Sequence, residues 1–252
     1  MSLLALLLLA VGAADLVRGD GGPVRRYAVP AATGGLLAVV VAALAGLGSA
    51  ADLALLAVAL VTMTAWVVLA DAALRGPLSR ARIGVALATL AVGGAALVLL
   101  SGAVGPVGGP LARWLEWTAV PQRPGLDPDR LVLLAGLFLV QTSTGNLIVR
   151  MALGWGGAGD PQGPQGAGGR LRGGRLLGPM ERVFILGLGL AGQLTAAGIV
   201  IAAKGLIRWP ELQAVRAGED DPGIDTVTEY FLVGSFASWL VALASLALVR
   251  IT

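Results

Sequence analysis

AADLALLAVALVTMTAWVVLADAAL, residues 50–74, is the stretch on which the fold turns. Only Asp52 and Asp71 carry charge in it, one near each end. A helix crossing a bilayer needs about 20 predominantly apolar residues, so this run is long enough to span. Ser49 and Asp52 stand three apart at its start in the capping-box pattern, which marks a helix N-terminus. The run lacks the apolar–polar alternation of a membrane β-strand, which excludes a β-barrel. Working outward, six more runs have the same character: residues 2–17, 31–48, 81–100, 130–153, 180–203 and 226–249. The reading is an all-α, polytopic transmembrane bundle of about seven spans, or six if the first is not inserted.

Composition agrees. Of 252 residues, 56% are hydrophobic and 13% charged, with mean hydropathy +0.84. A soluble domain carries about 25% charged residues, so an ordinary cytosolic enzyme is excluded. Disorder is excluded as well, because it requires a polar, charge-rich chain. The chain has neither cysteine nor histidine, which removes disulfides, thiolate or imidazole catalysis, and His or Cys metal sites. No catalytic residue, metal or cofactor is expected, and the excess of 18 basic over 15 acidic residues does not indicate nucleic acid.

The basic residues set an orientation. With the N-terminus outside, the inner segments hold twelve arginines, including Arg18, Arg25, Arg26, Arg75, Arg80, Arg82 and Arg150. The outer segments hold six basic residues, among them Arg113, Arg130 and Lys204. The C-terminus is therefore expected inside. Residues 2–17 form the shortest run and contain Asp15, but no positive segment precedes them, so a retained helix fits better than a cleaved signal.

Three parts are expected: a five-helix unit over 1–153, a flexible Gly/Pro-rich cytoplasmic linker over 154–178, and a two-helix hairpin over 179–252. Asp127–Pro128 and Gly178–Pro179 each place Pro at a helix start. Thr226 and Glu229 repeat the capping-box spacing. Near residues 110–118, Trp114 and Trp117 mark a short interfacial helix with its indoles at headgroup level. Arg170, Arg172 and Arg175 form a basic cluster suited to anionic lipid. No internal repeat of a two-halved transporter is visible.

Two motifs that resemble chemistry read as packing or chance. Gly187, Gly189 and Gly192 fit the dinucleotide G-x-G-x-x-G pattern, but they lie inside an uncharged apolar run rather than after a strand. Spacings of four at Gly187/Ala191 and Gly192/Ala196 point instead to close helix packing. Gly157, Gly159 and Asp160 match the G-x-G-D string of intramembrane aspartyl proteases without the second membrane aspartate that chemistry needs.

Ionisable and polar residues inside spans are the functional candidates. Asp15/Arg18 and Asp71/Arg75, three and four apart, read as local pairs at helix ends. Glu181 suits the start of its helix, where the dipole favours negative charge. Gln193 and Lys204, eleven apart, fall on one helical face, and Lys204 comes level with Glu229. Those three form either an anchor with a hairpin salt bridge or a ligand or proton site. Gln141, Thr142, Ser143, Thr144, Asn146 and Arg150 give the fifth span a polar end. Interhelical hydrogen bonds and a polar-lined path both fit it.

The C-terminal portion is similar to an uncharacterised family of bacterial integral membrane proteins, domain of unknown function 3307. The likeness covers roughly residues 145–245 and rests on Gly145, Asn146, Gly169–Arg170 or Gly174–Arg175, Gly178, Glu181, Arg182, Gly192, Gln193, Gly198, Ala202, Ala203, Lys204, Arg208, Glu229 and Tyr230. That family opens with a helix carrying His and Asp, whereas this chain has Asp15 and no His. The resemblance implies a bacterial inner-membrane protein, draws attention to Glu181, Gln193, Lys204 and Glu229, and assigns no activity.

Two functional classes stay open. One is binding or movement of a small solute or ion through Gln193, Lys204, Glu229, Glu181, Gln141 and Asn146. The other is a scaffold or accessory subunit whose small-residue stripe, Ser235/Ser238/Ala242/Ser245, meets another membrane protein or a second copy. An enzyme would be confined to a Glu/Lys acid–base pair.

Overall fold

The computed structural model describes residues 2–75, 79–105, 107–118, 127–156, 174–216 and 224–251. All regular structure among them is helical: α1 (Ser2–Leu16), α2 (Val29–Leu44), α3 (Ala50–Arg75), α4 (Arg80–Leu99), α5 (Gly109–Trp117), α6 (Pro128–Thr142), α7 (Thr144–Gly156), α8 (Gly174–Leu190), α9 (Leu194–Arg216) and α10 (Ile224–Ile251). A π-helical turn, Val24–Ala28, leads into α2, and a 3₁₀ turn, Ser101–Ala103, follows α4. Four helical segments are long and apolar enough to cross a membrane: Val24–Leu44, Ala50–Arg75, Arg80–Leu99 and Phe231–Ile251. The pair α6 and α7, bent by 47°, makes a fifth if counted as one span. These are the helices of a membrane protein.

The expected sixth and first runs take different forms. Residues 180–203 are not one helix, because α8 stops at Leu190 and α9 starts at Leu194. The cause is Gly192, at φ +76°. Its N–H donates to the Gly189 carbonyl and that of Gln193 to the Leu188 carbonyl, the paired bonds that close a helix with a left-handed residue. Gly46, at φ +72°, ends α2 by the same device, four residues before the expected limit. Pro179 lies inside α8 rather than at its first position. Thr226 lies inside α10, which begins two residues earlier at Ile224, so it does not stand at a helix start.

Helix α1, of 15 residues, is about 22 Å long at 1.5 Å per residue, shorter than the ~30 Å hydrocarbon core. It occupies the middle of the molecule. Every residue from Leu3 to Asp15 is buried except the half-buried Leu8. Its sequence has almost no apolar moment because it is apolar on all sides, as a helix surrounded by others must be. Glycines let α2 and α6 approach it. A β-carbon at Gly136 of α6 would stand 3.0 Å from the Ala5 carbonyl oxygen, and one at Gly34 of α2 would collide with the Ala10 carbonyl. Helices α3, α4 and α7 complete the surround, and α10 and α8 pack on α6 and α7. One apolar core runs from Leu3 through Trp66, Leu137 and Met151 to Leu246.

The expected linker narrows to residues 157–173, which lie outside the described residues, because Trp155 and Gly156 belong to α7 and 174–178 to α8. The short helix near 110–118 is present as α5, with Trp114 and Trp117 exposed and Leu115 buried. It rests on the end of α2, where the Gly108 N–H donates to the Ala45 carbonyl at 2.8 Å.

Candidate functional site

Two polar clusters are built into the apolar bundle, and they differ in how fully each is satisfied. The first lies where α1, α3 and the π-helical turn meet. Asp15 is 6% exposed, and its two carboxylate oxygens are shared between partners. Oδ1 accepts from Arg18 at 2.7 Å, and Oδ2 accepts from the Trp66 indole N–H at 2.9 Å. Arg18 also donates to the Val67 carbonyl at 3.0 Å. Alongside, Asp71 accepts from Arg75 at 2.6 Å and from the Tyr27 hydroxyl at 3.0 Å, and Arg75 reaches the exposed Asp20 at 2.9 Å. The local pairs expected from spacing are present. Each aspartate also holds a second helix by a long-range bond that spacing does not reveal. Asp15, Arg18, Asp20, Asp71 and Arg75 are each paired with an opposite charge, so they form a clasp.

The second cluster lies at the bend between α6 and α7. A continuous helix would give the Gln141 carbonyl an N–H from Gly145, and the break at Ser143 withdraws it. Arg182, on α8, supplies the missing donor. Its Nε donates to the Gln141 carbonyl at 3.0 Å, Nη1 to Ser238 Oγ of α10 at 3.1 Å, and Nη2 to Asn146 Oδ1 of α7 at 2.6 Å. Arg182 is 1% exposed, so one guanidinium ties four helices together in a buried place. Around it, Gln141 Nε2 donates to Ser245 Oγ at 2.7 Å, and the Trp239 indole N–H donates to Glu181 Oε1 at 2.6 Å. Ser143 Oγ donates to the Gly12 carbonyl of α1 at 2.8 Å.

Three of the six expected site residues therefore converge. Gln141, Asn146 and Glu181 gather around Arg182, with Asn146 also donating to the Thr142 carbonyl at 3.3 Å. Gln193 does not join them. It is the exposed residue between α8 and α9, so the helical face it was expected to share with Lys204 does not exist. The side chains of Lys204 and Glu229 lie outside the described residues, as do Arg170, Arg172 and the side chain of Arg175. Glu181 sits in the second turn of α8 and is buried at 5% exposure, deeper than a helix-start position implies.

The hub itself was missed by sequence reasoning, which placed Arg182 among the inner basic residues and in the family resemblance and gave it no role. A signal for it was available: Arg182 directly precedes the apolar run Val-Phe-Ile-Leu, and an ionisable residue set against a span is a functional candidate. Two glycines also line this place. Gly145 and Gly178 flank the guanidinium, since a β-carbon on Gly145 would stand 2.6 Å from Nε and one on Gly178 3.5 Å from Nη1.

In the G-x-G-x-x-G stretch no strand precedes the glycines, which lie at the end of α8 and its turn. Gly189 is the one that packs closely, against Leu246, while a β-carbon on Gly187 or Gly192 would meet nothing within 4 Å. The stripe Ser235, Ser238, Ala242 and Ser245 is buried within the chain. No protein-family model, curated protein or solved structure matches this chain.

Proposed function

We propose that this is a multi-pass bacterial plasma-membrane protein that binds or moves a small solute or ion at the polar cluster around Arg182. The observation that carries the reading is a buried guanidinium at a helix break, bonded only to neutral acceptors. Burying an ion costs several kcal/mol even after relaxation, so a purely structural position would be better served by an apolar side chain. Broken helices inside a membrane bundle place polar backbone where a solute can meet it. The scaffold alternative loses its main support, because its small-residue stripe already packs inside the chain.

The proposed threading is seven spans with the N-terminus outside. Two sets of contacts favour it. Asp15, Arg18, Tyr27, Asp71 and Arg75 share one end of the bundle, with Arg80 donating to the Trp155 carbonyl. The Ala45–Gly108 and Val107–Asp129 bonds lie at the other. The arginine-rich end is then cytoplasmic. Kinship with the domain-of-unknown-function 3307 family belongs to the same proposal, supported by the meeting of Gly145, Asn146, Gly178, Glu181 and Arg182.

The test is a thermal-stability screen of the purified chain in mild detergent against salts, carboxylates, amino acids and sugars. At least one solute is expected to raise the melting temperature of the wild type and leave Arg182→Met and Asn146→Ala unmoved. If no solute discriminates wild type from both variants, the reading fails.

A further inference from the structure

We infer that the Arg182 site takes a small monovalent anion, of halide or formate size, held by the undonated N–H groups of its guanidinium; this rests on the solute-binding reading above and names the solute's class. A guanidinium has five N–H groups. Three of them are donated, to the Gln141 carbonyl, Ser238 Oγ and Asn146 Oδ1, and all three acceptors are neutral. One N–H on each Nη remains undonated among the described residues. No carboxylate oxygen there lies within 4.0 Å of Arg182; the three ion pairs are Arg18–Asp15, Arg75–Asp20 and Arg75–Asp71. Glu181, the adjacent residue on α8, acts on Arg182 by its charge without bonding to it, and its Oε1 accepts from Trp239.

Two further groups close by are buried and without a partner. Thr144 Oγ1, at the first residue of α7 and next to the Gly145 that abuts Nε, makes no hydrogen bond, and neither does Gln141 Oε1. Thr144 is 1% exposed and Gln141 0%, so bulk water does not serve them. The donors on offer are two guanidinium N–H groups and the Thr144 hydroxyl, which is the chemistry of anion recognition, and the Gln141 amide oxygen is the one unpartnered acceptor beside them. A cation is repelled by the guanidinium, and a solute without an acceptor leaves those N–H groups unmet.

Size and depth narrow the class. Complete burial of Arg182 keeps a phospholipid headgroup away, since its phosphate would have to follow its own glycerol backbone into the bundle. Arg182, Gln141 and Thr144 are all buried among packed helices, so an occupant of the site is one or a few atoms in size. A halide, formate or nitrate fits that description, whereas a sugar acid or a nucleotide does not.

The experiment follows the melting temperature of the full chain in mild detergent, with ionic strength held constant while sodium gluconate is replaced by chloride, nitrate or formate. For a specific site, the wild type should gain about 5 °C as the small anion rises from near its dissociation constant to 100-fold above it. Arg182→Gln should lose that response, and Thr144→Val should weaken it while leaving Arg182 in place. An unchanged wild-type melting temperature in all three small anions overturns the inference. Glycerol, urea and potassium against choline are run on the same plates. If one of these acts through Arg182 while the anions do not, the anion class is wrong and the solute reading survives. If none acts and Arg182→Gln melts lower in every buffer, the guanidinium is a structural lock and both readings fall.

Discussion

At Asp15 two kinds of information meet. Its pairing with Arg18, three residues on, follows from helix geometry alone. Its bond from Trp66, 51 residues away, does not, because an indole in an apolar run gives no sign of which carboxylate it will face. That bond satisfies both a buried N–H and the second carboxylate oxygen. Trp66→Phe keeps the ring and removes only the donor, leaving Oδ2 unpaired in a site that is 6% exposed. The expected loss is about 1–3 kcal/mol, read as a lower melting temperature in detergent. An unchanged melting temperature would mean that water reaches Asp15. Arg182 makes the same point more strongly. Its sequence neighbours give it no hydrogen-bond acceptor, and all three of its acceptors come from other helices.

At the scale of elements, the helix stops are glycines read too simply as packing residues. Within Gly187–Gly192 the structure separates three tasks that one motif concealed: Gly187 is open, Gly189 is packed on Leu246, and Gly192 is left-handed. The two end positions are therefore expected to respond with opposite signs to the same change. Gly187→Ala adds a better helix former in free space and should stabilise by up to about 1 kcal/mol. Gly192→Ala also meets free space but must hold φ near +76°, at a cost of about 1–2 kcal/mol. Melting temperatures of the two variants check the contrast, and two shifts of the same sign would contradict the assignment. The reciprocal cap of Ser49 and Asp52, at 2.9 and 3.1 Å, and the Asp127 cap on the Arg130 N–H, at 2.7 Å, were predictable because they are contained within four residues. The break at Ser143 was not, since residues 130–153 are apolar enough to read as one helix.

For the whole molecule, the position of α1 governs the architecture. The shortest apolar run, and the one whose insertion was in question, is the helix that the others enclose. Its centrality comes from glycines on its neighbours, Gly34 and Gly136, whose meaning depends on what they face. The proposed threading can be checked directly because the chain has no native cysteine to interfere. Asp20→Cys and Glu116→Cys sit at opposite ends of the bundle and are solvent-exposed. In intact cells an impermeant maleimide is expected to label Glu116→Cys, and to reach Asp20→Cys only after the membrane is opened. The reverse pattern inverts the orientation, and labelling of both from one side removes the threading altogether.

The sequence by itself determined whatever depends on local physics: that the chain is helical and apolar enough for a membrane, where four of its caps and ion pairs lie, and that cysteine and histidine chemistry are absent. Hydropathy, capping and short-range pairing are properties of a few consecutive residues, so they survive without knowledge of the rest. The tertiary structure decided which run became the centre, where two long runs broke, and which polar groups met. Those outcomes depend on neighbours far apart in the chain. A glycine is a contact point only if another backbone approaches it, and an arginine is a hub only if a broken helix elsewhere frees a carbonyl for it.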